Sequence, residues 1–152
     1  MTIHESHPPP SLNLFKELTM LNLSVSALRR VLWLDAASGL GMAIAHFAFS
    51  KQLSEVLGLP LVWLQVSGVI VCGAAALSAV LAAHAQPPVG GVRLLVAGNF
   101  LWVATSVWTV WGAGLPLTAL GMVWVLLQAA FVFGLAELEW SGSRHVQRLS
   151  MA

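Results

Sequence analysis

Four apolar runs, at residues 31–50, 60–83, 92–112 and 115–135, take up most of the chain after residue 30. Each is close to the ~20 residues that cross ~30 Å of hydrocarbon as a helix. The pattern predicts an all-α fold with four transmembrane helices in an up-down bundle, a membrane domain over residues 31–140. Ahead of it, Leu14, Leu18, Leu21, Val25 and Leu28 recur at helical spacing, with Asn13, Lys16, Glu17, Asn22 and Ser24 off that line. Residues 11–30 therefore read as an amphipathic helix, too polar to span and suited to the membrane interface, with packing against the bundle as the alternative. Residues 1–10 are polar and Pro-rich and read as a disordered cytosolic tail, and residues 141–152 as a second one.

The connections between runs are short. Pro87-Pro88 and Gly90-Gly91 stop one helix and release the next. Gly58-Leu59-Pro60-Leu61 before the second run recurs as Gly114-Leu115-Pro116-Leu117 before the fourth, and Arg30 and Arg93 each stand five or six residues ahead of a polar intramembrane residue, Asp35 and Asn99. The repeat reads as two similar helical hairpins, although proline at a first helical turn explains the motif locally as well.

Composition narrows the function. The chain is 58% apolar and 9% charged with net charge +1, which excludes a soluble domain and leaves too little basic surface for a nucleic acid partner. One cysteine, Cys72, allows neither an intramolecular disulfide nor a paired-thiol relay. Lys16, Arg29, Arg30, Arg93, Arg144 and Arg148 fall on the side of the termini and the middle loop, and Lys51 opposite. By the positive-inside bias both termini face the cytosol.

Each run carries its polar or small residues on one face, as a bundle interior surrounded by lipid requires. Asp35, Ser38, Met42 and His46 share a stripe, as do Asn99, Trp102, Ser106 and Thr109. The second run offers Gln65, Gly68 and Cys72, and the fourth Thr118, Gly121, Val125 and Gln128. At ~1.5 Å rise per residue, Asp35 and Asn99 come to similar depth. Asp35, Asn99, Gln128 and Ser106 are thus a candidate polar core or ligand and proton site, with His46, Gln65 and Thr109 as a second polar layer. Two readings stay open for Asp35. It is a carboxylate oriented by Arg29, Arg30 or Arg93 and bonded to Asn99 as helix glue, or it is a functional group on a proton or ligand path. His46 has no second intramembrane histidine to complete a bis-imidazole haem site and no carboxylate at metal-ligand spacing, so no metal or cofactor is expected. Glu137 and Glu139 precede Trp140 and a basic tail and read as the helix leaving the membrane. The alanine and glycine positions Ala37, Gly41 and Ala45 suit close helix approach.

Leu34-Asp35-Ala36, Gly58-Leu59-Pro60, Asn99 with Trp102 and Ser106, Thr118-Ala119-Leu120-Gly121 and Gln128-Ala129 together resemble a family of small four-span bacterial inner membrane proteins without an assigned activity. The resemblance covers about residues 30–140 and implies the four-helix fold and the inner membrane, and no catalytic residue. The expectation is a non-enzymatic integral membrane protein, an accessory, interaction or small binding component whose partners are the lipid bilayer and another membrane protein or a second copy. The alternative is a proton-linked or small-molecule carrier using Asp35, which a cavity reaching that residue would favour.

Overall fold

The computed structural model describes residues 10–149 and 151. In chain order the helices are α1 (Pro10–Ala48), α2 (Ser50–Leu57), α3 (Leu61–Ala83), α4 (Val89–Trp111) and α5 (Ala119–Leu149), with no strand among the described residues. Ser24–Ala48, Leu61–Ala83, Val89–Trp111 and Ala119–Leu149 are long and apolar enough to cross a membrane. The protein is an all-helical bundle with four such helices.

Three boundaries differ from those read off the apolar runs. Residue 30 is not a break, because α1 runs without interruption from Pro10. Val25 and Leu28 are buried in the bundle, whereas the tail at residues 1–9 and the faces of Leu14, Leu18 and Leu21 lie outside the described residues. At the other end α5 continues to Leu149, well past the end of the apolar run at residue 135. The first connection, finally, holds α2, a helix that exposes Lys51, Gln52 and Glu55 and buries Leu57.

α2 exists to turn the chain and meet α5. Gly58 closes it in the left-handed conformation (φ 72°), and a side chain there would run into the Pro116 carbonyl. The exposed carbonyls at the end of α2 are taken up from α5: Thr118 donates its amide to Leu57 O (3.1 Å) and its hydroxyl to Val56 O (2.9 Å). The same hydroxyl oxygen accepts the amide of Gly121 (2.9 Å), the N-cap bond of α5. Gly121 passes so close to the Leu57 carbonyl that no Cβ fits. Gly58 and Gly114 both take positive φ (72° and 63°), but α3 starts three residues after the first glycine and α5 five after the second.

α3 packs along α1, α4 along α5, and α1 joins the pairs by lying against α5; consecutive α3 and α4 touch far less. The α1–α3 contact is close because Gly39 faces Ala75 and Gly68 faces His46 and Phe47. Ala37 and Gly41 are exposed instead, and Ala45 is half-buried. The apolar core is split in two. One cluster, with Leu28, Leu32, Leu81, Val92, Leu95 and Ala136, fills the end where α1 enters, α3 turns into α4 and α5 leaves. A smaller one, with Leu57, Leu59, Leu64 and Val125, closes the opposite end. At the first end Arg29 donates to Ala82 O (2.9 Å), capping the carbonyl terminus of α3, and Arg93 donates to Gln147 (2.7 Å). Between the two clusters the bundle is hollow, with mostly apolar walls and a few polar side chains.

Candidate functional site

Below the larger apolar cluster four polar side chains, one from each long helix, lie buried in one layer. Ser78 of α3 donates a hydrogen bond to Asp35 of α1. Asn99 Nδ2 of α4 donates to Glu139 Oε2 of α5 (3.2 Å). Each closely packed helix pair is thus clasped by one carboxylate and one neutral donor. Glu139 is fully enclosed and Asp35 is 8% exposed. The Oε1 of Glu139 has no hydrogen-bond partner. Among the described residues neither carboxylate has a Lys, Arg or His partner, because Arg29 and Arg93 are turned to Ala82 and Gln147.

This arrangement corrects the expected pairing. Asn99 bonds Glu139, not Asp35, and Asp35 is held by Ser78 and not by arginine. Ser78 and Glu139 were not among the expected site residues. Signals for both exist in the sequence. On α5, Val125, Ala129, Ala136, Glu139, Ser143 and Val146 are buried in steps of three, four and seven, so the inward stripe continues through Glu139 while Glu137 falls out of phase and is exposed. On α3 the inward stripe is Leu64, Gly68, Ala75, Ser78 and Ala82.

Two residues of this layer, Asp35 and Asn99, also line a cavity of about 590 Å³ that extends toward the middle of the bundle, whereas Ser78 and Glu139 do not reach it. Asp35, Asn99, Trp102 and Gln128 bring polar atoms to it, against apolar walls that include Gly39, Ile70, Val71 and Leu94. Ile70 of α3, Leu94 of α4, and Leu127 and Phe131 of α5 line the cavity and are exposed, and α3 and α4 are only loosely packed against each other. A second chamber of about 290 Å³ adjoins it, sharing Ile70, Trp102 and Gln128. Its wall carries His46, Ser67, Ser106 and Thr109. His46 Nδ1 bonds Ser67 (2.9 Å), and Nε2 is buried with no partner. Gln65, expected in this layer, is exposed and reaches neither chamber. It stands two positions, or ~200° around the helix, from Ser67, which supplies the bond to His46.

Of the remaining expected residues, Ser106 and Thr109 are buried, and Gln128 is half-buried between the chambers. Cys72 is exposed on α3. No group of three or more His, Cys, Asp or Glu among the described residues is placed to hold a metal ion. Chemically the arrangement offers an apolar space of ligand size with a carboxylate and amides at one end and an imidazole at the other. No protein-family model, curated protein or solved structure matches the chain.

Proposed function

We propose that this chain is a non-enzymatic, multi-pass binding component of a bacterial inner membrane, holding a small and largely apolar molecule with a positively charged or hydrogen-donating head. The head sits at Asp35 and Asn99, and the apolar body lies between α3 and α4 with access from the lipid. Both termini and residues 84–93 face the cytosol in this reading, which the bias of six of seven basic residues supports. The two hairpins are copies of one unit, each with Gly-Leu-Pro-Leu in the turn between its two spans. Residues 11–30 continue the first span toward the interface. Lipid is the surrounding partner, and another membrane protein or a second copy is the assembly partner.

The observation that carries the reading is the cavity reaching Asp35. Its volume lies within the range of small-molecule sites, and its lining is apolar except at a few convergent polar groups. Two carboxyl groups buried with neutral partners leave a deficit of positive charge, which a proton or a bound cation fills. A lipophilic cation meets both conditions. Tetraphenylphosphonium titrated onto the protein in nanodiscs should bind saturably, and Asp35→Asn should abolish binding while helical content stays unchanged. Binding no greater than to empty nanodiscs, or binding unaltered by Asp35→Asn, contradicts the reading.

A proton-linked carrier is the second reading, favoured by the partnerless Oε1 of the buried Glu139. In that case Glu139→Gln retains tetraphenylphosphonium binding and loses its coupling to a proton gradient in proteoliposomes.

A further inference from the structure

The second chamber has a chemistry of its own, set by where its hydrogens point. A serine or threonine hydroxyl has one hydrogen to give. Thr105 gives it to Leu101 O (2.9 Å), Ser106 to Trp102 O (2.8 Å) and Thr109 to Thr105 O (2.8 Å), all on their own helix. The Ser67 hydroxyl is 2.9 Å from both Leu64 O and His46 Nδ1, and in the tautomer in which its single hydrogen goes to Leu64 O, the ring donates to Ser67 from Nδ1–H. His46 Nε2 then carries a lone pair. The four hydroxyl oxygens and this nitrogen therefore offer acceptor capacity with no hydrogen left to give, in a chamber whose walls include the rings of Trp63 and Trp102. Nε2 is enclosed and unpartnered, which is costly for a buried acceptor until a donor meets it.

From this we infer that the chamber is a second binding site, for an aromatic alcohol whose hydroxyl donates to His46 Nε2 while its ring lies against the tryptophans. At about 290 Å³ the space exceeds the ~150 Å³ of an apolar cavity that accepts a benzene ring. His46 stands eleven residues from Asp35 on α1, about 16 Å along the helix at ~1.5 Å per residue. The site is thus separate from the carboxylate layer and does not rest on the cation reading.

The test uses 1-naphthol and 1-methoxynaphthalene, which differ in the hydroxyl hydrogen, on the full chain in nanodiscs, with empty nanodiscs as baseline and tryptophan fluorescence as readout. The expected result is saturable naphthol binding about tenfold tighter than that of the methyl ether, the size of one buried hydrogen bond. His46→Phe should remove the difference, and Asp35→Asn should leave it intact. Equal affinities of the two compounds on the unaltered protein overturn the proposal whether or not His46→Phe folds. A preference that survives His46→Phe, or that vanishes in Asp35→Asn, overturns it too.

Discussion

Asn99 on α4 donates its side-chain amide to Glu139 on α5 at 3.2 Å, inside a bundle that leaves Glu139 no exposed surface. A carboxyl group so enclosed holds its helix in one rotational setting, because any other rotation would carry it into lipid. The setting in turn places the stripe from Val125 to Val146 against the rest of the bundle.

Glu139→Gln keeps a carbonyl oxygen for Asn99 and should change thermal stability little. Glu139→Leu strands the Asn99 amide and should destabilise by about 1–3 kcal/mol. A double-mutant cycle on Asn99→Ala and Glu139→Ala should return a coupling near 0.6 kcal/mol and below about 2, the range for polar contacts between membrane helices. Thermal unfolding in detergent measures all of these, and a Glu139→Leu variant as stable as the unaltered protein contradicts the arrangement.

At Asp35 the partner that suffers is Ser78. Asp35→Asn retains an acceptor for the Ser78 hydroxyl and should be mild, whereas Asp35→Leu leaves that hydroxyl buried and unmet. Ser78→Ala leaves the buried Asp35 carboxyl without its donor and should cost about 1–3 kcal/mol. The same unfolding measurement should rank Asp35→Asn as the mildest of the three. Asp35→Leu and Ser78→Ala both as stable as the unaltered protein would mean that no buried clasp exists.

Much of this was legible in the residues. The four spans, the turn at Pro87-Pro88 and the inward stripes of α1 and α4 follow from helical spacing, and Asp35, His46, Asn99, Ser106 and Thr109 are all buried. The α3 stripe was displaced by one position because its run is apolar on every side, so that Gln65 and Cys72 drew the face toward themselves although both are exposed. Ser78 hid among alanines. Glu139 was concealed by a different effect: a charged pair after an apolar run signals exit from the membrane, and the helical phase that separates Glu139 from Glu137 outweighs that signal only once α5 is seen to continue to Leu149. The Asp35–Ser78 and Asn99–Glu139 pairings and the cavity depend on how helices pack together, which spacing along one helix does not encode.

The junction of α2 with α5 should be intolerant of one added methyl group. Gly121→Ala drives a Cβ into the Leu57 carbonyl and should lower stability by about 1–3 kcal/mol, the range for overpacking. Gly134→Ala on the same helix meets nothing within 4 Å and should not destabilise. Comparing the two in one unfolding experiment separates the clash from the change in helix propensity. Equal stabilities would mean that α2 does not approach α5 as described.

Orientation is tested by cysteine accessibility in a Cys72→Ser background. Single cysteines at Gln86 and at Gln52 should be labelled from opposite sides, Gln86 from the cytosol and Gln52 from outside. The reverse pattern would overturn the proposed topology.

The central claim is that the space between α3 and α4 holds an amphiphile with its head at Asp35. Photolabelling with a benzophenone-bearing quaternary ammonium, followed by peptide mapping, locates the occupant directly. The account predicts labels on Val71 and Ala74 of α3 and on Leu95 and Gly98 of α4, displaced by excess tetraphenylphosphonium and lost in Asp35→Asn. Labels confined to the exposed residues Leu40 and Ile44 of α1, or labels inside the cavity that persist undiminished in Asp35→Asn, would contradict it.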